Sequence, residues 1–114
     1  MISKKYRIDR NLIDYILKKG ESDTSNLFII RYIKNNKDFC RYRTIVSSKL
    51  NPKAVIRNKI KREIYEAIRI ITKDKECKET LDIVLIPKKQ IKEAKYQEIE
   101  KDLEKIIKKH GKIK

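Results

Sequence analysis

The apolar positions change their period along the chain, and each change marks an element. In "DRNLIDYILKKG", Leu12, Ile13, Ile16 and Leu17 recur at helical spacing. Asp9 stands where an N-cap belongs and Gly20 where a left-handed residue can end a helix, so a short first helix is expected. "ESDTSN" follows as a polar loop with no visible strand. "LFIIRYI" (Leu27 to Ile33) is short, β-branched and aromatic, which favours a strand. After the turn "KNNKD", the run "FCRYRTIVS" alternates. Cys40, Tyr42, Thr44 and Val46 share one face; Phe39, Arg41, Arg43 and Ile45 share the other. The two runs predict an antiparallel hairpin, with Arg41 and Arg43 as cations along an exposed strand.

A long helical pattern follows. Asn51 suits its N-cap and Pro52 its first helical position, and the periodicity extends to about Ile71. "TLDIVLI" (Thr80 to Ile86) predicts a third strand, ended by Pro87. In "YQEIEKDLEKIIKKHG", Tyr96, Ile99, Leu103, Ile106, Ile107 and His110 form one stripe. Mixed acids and lysines on that helix, including Glu104 with Lys108, read as a solvated face. His110 reads as a residue favoured by the helix C-terminal dipole. One α+β domain spanning residues 1–114 is the economical way to bury these faces. The stretch from Ile45 to Ile86 is a strand–helix–strand unit, whose default crossover, if the strands are parallel, is right-handed.

Charge changes the picture more than composition does. The 114 residues hold 31 Lys and Arg against 16 Asp and Glu, a formal net charge of +15. Such a field attracts polyanions, with nucleic acid the leading partner and an anionic membrane surface the second. No apolar run approaches the ~20 residues of a bilayer span, and the N-terminus lacks a signal peptide's apolar stretch, so a cytoplasmic location is expected. Cys40 and Cys77 stand without a CxxC pair or a histidine cluster, so no metal site is expected and both thiols read as reduced.

The charge has a place on the long helix. At 100° per residue, Ile56, Ile60, Ile64, Ala67, Ile68 and Ile71 form the core stripe. Arg57, Asn58, Lys61, Arg62, Tyr65 and Arg69 fall on the neighbouring arc, and Lys59, Glu63 and Glu66 on the remaining one. Arg57, Lys61 and Arg69 have no acid four residues away, whereas a merely solvated face mixes its signs. Arginine forks and lysine charges suit phosphate, and Asn58 can bind phosphate, a 2′-OH or a base edge. The helix N-terminus adds free N–H groups beside Ser47, Lys49 and Lys53. No catalytic constellation of side chains stands out.

The stretch "IVSSKLNPKAVIRNKIKREIYEAIR" resembles the signature of the bacterial ribonuclease P protein subunit. The matching residues are Val46, Ser47, Lys49, Ala54, Val55, Arg57, Asn58, Lys59, Lys61 and Arg62. Lys59 replaces an arginine and keeps its charge. The short helix ending in Lys-Gly, the Phe-containing strand and "DIVLIP" agree in order. Thr44 stands where the family often has glycine, and Leu50-Asn51-Pro52 replaces another glycine in a lead-in one residue longer.

The resemblance implies a two-layer α+β sandwich, a mixed sheet of about four strands with three helices. It also implies a left-handed βαβ crossover, against the default hand. The implied function is that of an RNA-binding subunit of ribonuclease P, one copy per catalytic RNA. The RNA would remove the 5′ leader of precursor tRNA with Mg²⁺ held mainly by RNA and substrate, and no side chain would be catalytic. The Arg57-Asn58-Lys59 region would bind the catalytic RNA. A cleft between the sheet and the first helix would hold the leader. Phe28, Tyr42, Val46 and Tyr65 are expected there, with Ile13 and Leu17 where the family usually offers aromatic rings. The alternative is a stand-alone RNA-binding or ribosome-associated module.

Overall fold

The computed structural model describes residues 3–111; the ends of the expected 1–114 domain, residues 1–2 and 112–114, lie outside the described residues. The chain forms α1 (Arg10–Lys19), β1 (Glu21–Thr24), β2 (Phe28–Lys34), β3 (Arg41–Thr44), α2 (Ala54–Thr72), β4 (Leu81–Pro87) and α3 (Tyr96–Gly111). Single 3-10 turns at Lys4–Tyr6 and Lys89–Lys92 complete the order. The four strands make one mixed sheet in the order β1-β2-β4-β3. This is the α+β layout expected, with two corrections.

The first concerns the hairpin. β2 and β3 are consecutive in sequence but do not pair. β4 inserts between them, antiparallel to β2 and parallel to β3, with Ile30 opposite Leu85 and Tyr42 opposite Ile83. The physical reason is burial: β4 is apolar on both faces, and only an interior position removes both from water. The antiparallel hairpin that does form joins β1 to β2, with Ser22 opposite Arg31. β1 has no apolar residue, so periodicity could not show it.

The second concerns helix ends. Gly20 follows α1 with φ −72° and ψ 161°, an extended rather than left-handed conformation. Its missing side chain serves close approach instead: a Cβ there would lie 2.5 Å from the Ile16 carbonyl oxygen and 2.9 Å from that of Tyr32. α2 starts at Ala54, with Lys53 as its N-cap. Asn51 does not cap it but accepts the Lys53 N–H at 2.9 Å, closing a turn around Pro52.

The sheet carries two unequal layers. On one face α2 and α3 enclose the main core, including Phe28, Ile30, Tyr42, Ile64, Leu85 and Leu103. On the other, α1 covers only part of the sheet, and Ile8, Ile16 and Val84 form a smaller cluster edged by Leu12, Leu17, Ile33, Ile45 and Ile86. Along the outer edge of β3, Arg7 bridges to Tyr42 in parallel, and the Ile8 N–H donates to the Tyr42 carbonyl at 3.1 Å.

Polar ties cross the layers. Buried Asp102 of α3 accepts the Ser25 hydroxyl at 2.7 Å and the Leu27 N–H at 3.0 Å, fixing the β1–β2 turn. Asp82, buried in β4, accepts a two-pronged bond from Arg41 at 2.8 and 2.6 Å and the Asn35 amide at 2.8 Å. At the opposite edge, Asp23 of β1 meets Lys109 and His110 of α3, each at 2.9 Å. The expected Glu104–Lys108 pair forms at 2.8 Å.

Asp82→Ala leaves the largely buried Arg41 guanidinium without its carboxylate and is expected to destabilise the fold by about 3 kcal/mol in denaturant titration. The Lys109 ammonium, the Thr24 N–H and His110 hold the Asp23 carboxyl at about 2, below its ordinary 3.8. This contribution is fully present above pH 3.8 and is lost as pH falls toward 2. Asp23→Asn is expected to flatten that acid limb of the stability curve.

Candidate nucleic-acid interface

The lead-in to α2 and its first two turns gather most of the expected basic residues at one end of the helix. Ser47, Lys49, Lys53, Asn58, Lys59 and Arg62 are exposed, and Arg57 and Lys61 are half-buried. Ile60, Ile64, Ala67, Ile68 and Ile71 are buried as expected, and that burial fixes the opposite side of the helix outward. No acid stands in the first turn, and Lys53 makes no side-chain cap bond. The first-turn N–H groups and the positive dipole end therefore remain available to an anion.

Arg57 has a second task. Its Nη1 donates to the carbonyls of Asn51 and Pro52 at 2.9 and 2.8 Å. One arm of the guanidinium thus clamps the lead-in against the helix. Of its five N–H donors, the three on the other two nitrogens are left for a ligand.

Arg69 does not belong to the cluster. It lies 11 residues beyond Asn58, roughly 16 Å along the axis at 1.5 Å per residue. Its guanidinium is held by Glu66 one turn back, with Nη2 at 2.5 Å from the carboxylate. An acid three residues away reaches a helical arginine as well as one four away, and this pair is three apart. Tyr65 also leaves the basic arc. Its side chain turns into the core, 4% exposed, and its hydroxyl accepts the Thr44 N–H at 3.1 Å. A long aromatic ring at the border of a stripe can fold inward where a lysine would reach out.

The expected cleft residues divide in the same way. Phe28, Tyr42 and Val46 are 0%, 3% and 7% exposed and face α2 and α3. They cannot line an open cleft. Alternation sorted the residues into faces correctly, but it does not say which face receives two helices and which receives one. The α1 face carries the complementary set. Ile29 lies opposite Ile86 across β2 and β4, and the Ile45 N–H donates to the Leu85 carbonyl at 3.0 Å. Ile29, Ile86 and Ile45 therefore form an apolar row across three strands, with Ile29 39% exposed. Leu17 packs on the same small cluster, and Ile13 is half-buried on α1.

Below that row the face turns cationic, but its cations are engaged. Arg31 donates to the carbonyls of Leu17 and Gly20 at 2.6 and 3.0 Å, securing the C-terminal end of α1. Arg43 donates to the Ile8 carbonyl at 3.3 Å, and Arg41 is bound to Asp82. Arg41 and Arg43 are thus structural as much as electrostatic. Sequence reasoning passed over Ile29, Ile45, Ile86 and Arg31; Ile29 and Ile45 adjoin the chosen Phe28 and Val46, and Arg31 and Ile86 follow only from strand register.

A basic helix start beside an apolar row on a half-covered four-stranded sheet defines a small, strongly basic α+β protein. The Ribonuclease P family model matches residues 2–111. The Clostridium kluyveri ribonuclease P protein component is 34% identical over 107 residues, covering 93% of this chain and 95% of the relative. That of Staphylococcus haemolyticus is 35% identical, covering 94% and 91%. A Staphylococcus aureus RNase P protein mutant with defective mRNA degradation activity superposes with a TM-score of 0.80 at 33% identity, covering 97% of this chain and 92% of that one. The Thermotoga maritima protein gives 0.77 at 27% identity, covering 90% and 96%. The chain belongs to the ribonuclease P protein family, whose members take part in tRNA processing.

Because Arg57 clamps the lead-in, Arg57→Ala is expected to cost about 1 kcal/mol of stability and to speed amide exchange at Lys53, while Arg57→Lys restores charge without the clamp.

Proposed function

We propose that this chain is the RNA-binding subunit of a ribonuclease P ribonucleoprotein, acting in the cytoplasm as one copy per catalytic RNA. The observation that carries the reading is the outward basic cluster at the start of α2, set beside the apolar row on the α1 face. Lys49, Lys53, Asn58, Lys59, Lys61 and Arg62, with the free donors of Arg57, would meet phosphates and riboses of the catalytic RNA. Ser47 adds a hydroxyl in the lead-in. The row Ile29–Ile86–Ile45, bordered by Leu17 and Ile13, would receive the bases of the single-stranded 5′ leader of precursor tRNA. Aliphatic side chains offer bases a flat apolar contact without stacking rings, so the leader would be held with little sequence preference.

The protein's chemical contribution is positioning and charge neutralisation. Among the described residues, no three His, Cys, Asp or Glu side chains gather as a metal site. The reading leaves the Mg²⁺ of the reaction to RNA and substrate, and the cleavage chemistry to the RNA. No helix among the described residues is long and apolar enough to cross a membrane.

Reconstitution with a bacterial ribonuclease P RNA and precursor tRNA at low Mg²⁺ is expected to show protein-stimulated 5′ cleavage. Binding to RNA without stimulation, across several salt conditions, would instead indicate a stand-alone RNA-binding module. Lys59→Ala and Arg62→Ala should each weaken RNA binding and flatten its salt dependence by about one ion or less. Ile86→Asp should lower affinity for leader-bearing precursor by about tenfold, ~1.4 kcal/mol, and leave mature tRNA unaffected. Equal losses on both substrates would remove the leader from this face.

A further inference from the structure

The two cysteines, 37 positions apart in the sequence, meet in the fold. Cys40 leads into β3 and is 3% exposed. Cys77 sits in the loop between α2 and β4 and is half-buried. Cys77 packs against the core cluster that holds Cys40, both side chains line one groove, and the Tyr42 hydroxyl, two positions along from Cys40 on the same strand face, lies 3.8 Å from the Cys77 sulfur. The site opens into a groove of about 920 Å³ whose wall mixes Lys73 and Lys75 with Asp38, Asp74 and Glu76. The RNA-facing residues at the start of α2 do not line it.

The two sulfurs are not equivalent. Cys40 Sγ is anchored to backbone, contacting the Glu79 carbonyl at 3.2 Å and accepting the Leu81 N–H at 3.5 Å. Its contact with Cys77 and its burial keep it protonated. Cys77 has access to the groove. The neighbouring Cys40 thiol, and then the Tyr42 hydroxyl, draw its pKa below the ordinary thiol value. A thiolate is the reactive form of cysteine, and hydrogen-bond donors beside the sulfur favour it. The arrangement is that of an attacking thiol with a resolving thiol behind it.

We propose that Cys77 and Cys40 form a peroxide-reactive redox pair, in which Cys77 is oxidised first and Cys40 closes an intramolecular disulfide. In the first step the Cys77 sulfur attacks one oxygen of hydrogen peroxide. The S–O bond forms, the O–O bond breaks, and the leaving hydroxide takes a proton to become water. In the second step the Cys40 sulfur attacks the Cys77 sulfur of the sulfenic acid. The S–S bond forms, the S–O bond breaks, and the hydroxide leaves with the Cys40 proton as a second water. Two thiols are oxidised, one peroxide is reduced, and a dithiol reductant reverses the change. The product ties the start of β3 to the α2–β4 loop.

The test treats the full chain with hydrogen peroxide at a level that oxidises glutathione, then maps peptides by mass. The expected result is loss of both free thiols together, a Cys40–Cys77 linked peptide, a mass lower by two hydrogens, and recovery with dithiothreitol. In Cys40→Ser, dimedone should trap a sulfenic acid on Cys77; in Cys77→Ser, Cys40 should stay reduced. The native chain is read independently of either variant's folding. Thiols that remain free, links only between chains, or equal reactivity of Cys40 without Cys77 would overturn the proposal.

Discussion

β4 is apolar on both faces and buried at every position but Ile86, and the rest of the molecule is arranged to meet that constraint. A strand reading Leu-Asp-Ile-Val-Leu-Ile-Pro must have partners on both edges and cover above and below. β2 and β3 take the edges, which forces the chain to leave β3 and return beside it through α2. The one charged side chain in the strand, Asp82, is tolerated because Arg41 and Asn35 converge on its carboxylate. That carboxylate joins β4, the start of β3 and the turn after β2. The topology is thus held by a single polar node as well as by apolar area.

The inequality of the two layers produces the surface. Two helices on one face bury the large side chains and anchor α2 along its isoleucine stripe. One short helix on the other leaves an apolar row only partly covered. β3 ends where this row ends, and the chain passes directly into the lead-in of α2. The basic cluster and the row are therefore neighbours because they are consecutive along one strand–loop–helix path. Arg57 holds the angle of that path by bonding backward to Asn51 and Pro52.

Much of this was legible in the order of residues, for reasons that can be named. α2, α3 and β4 were readable because long periodic or fully apolar runs leave little choice. The basic signature around Arg57 and Asn58 was readable because the charges are unmixed in sign. β1 was not, since "ESDT" is a strand only through its pairing with β2. The strand order was not, because pairing depends on the competition among three strands for the central position. Phe28, Tyr42 and Val46 were misplaced because period-two alternation separates two faces but does not label them, and Tyr65 because a ring at the border of a helical stripe can turn inward. Arg69 was misjudged by one residue of spacing, since an acid at either three or four positions can reach it.

The short segment at Arg7 and Ile8 has a larger consequence than its length suggests. A mixed sheet presents two raw edges, and a raw edge invites another copy's strand to extend it. Here the β3 edge is occupied by the chain's own beginning, while the β1 edge is four polar residues long and tethered to α3 through Asp23. At a formal net charge of +15, copies of the chain repel one another in water, and any polyanion that neutralises them removes that protection. With one border covered and the other short, polar and charged, close approach of copies offers little sheet to extend.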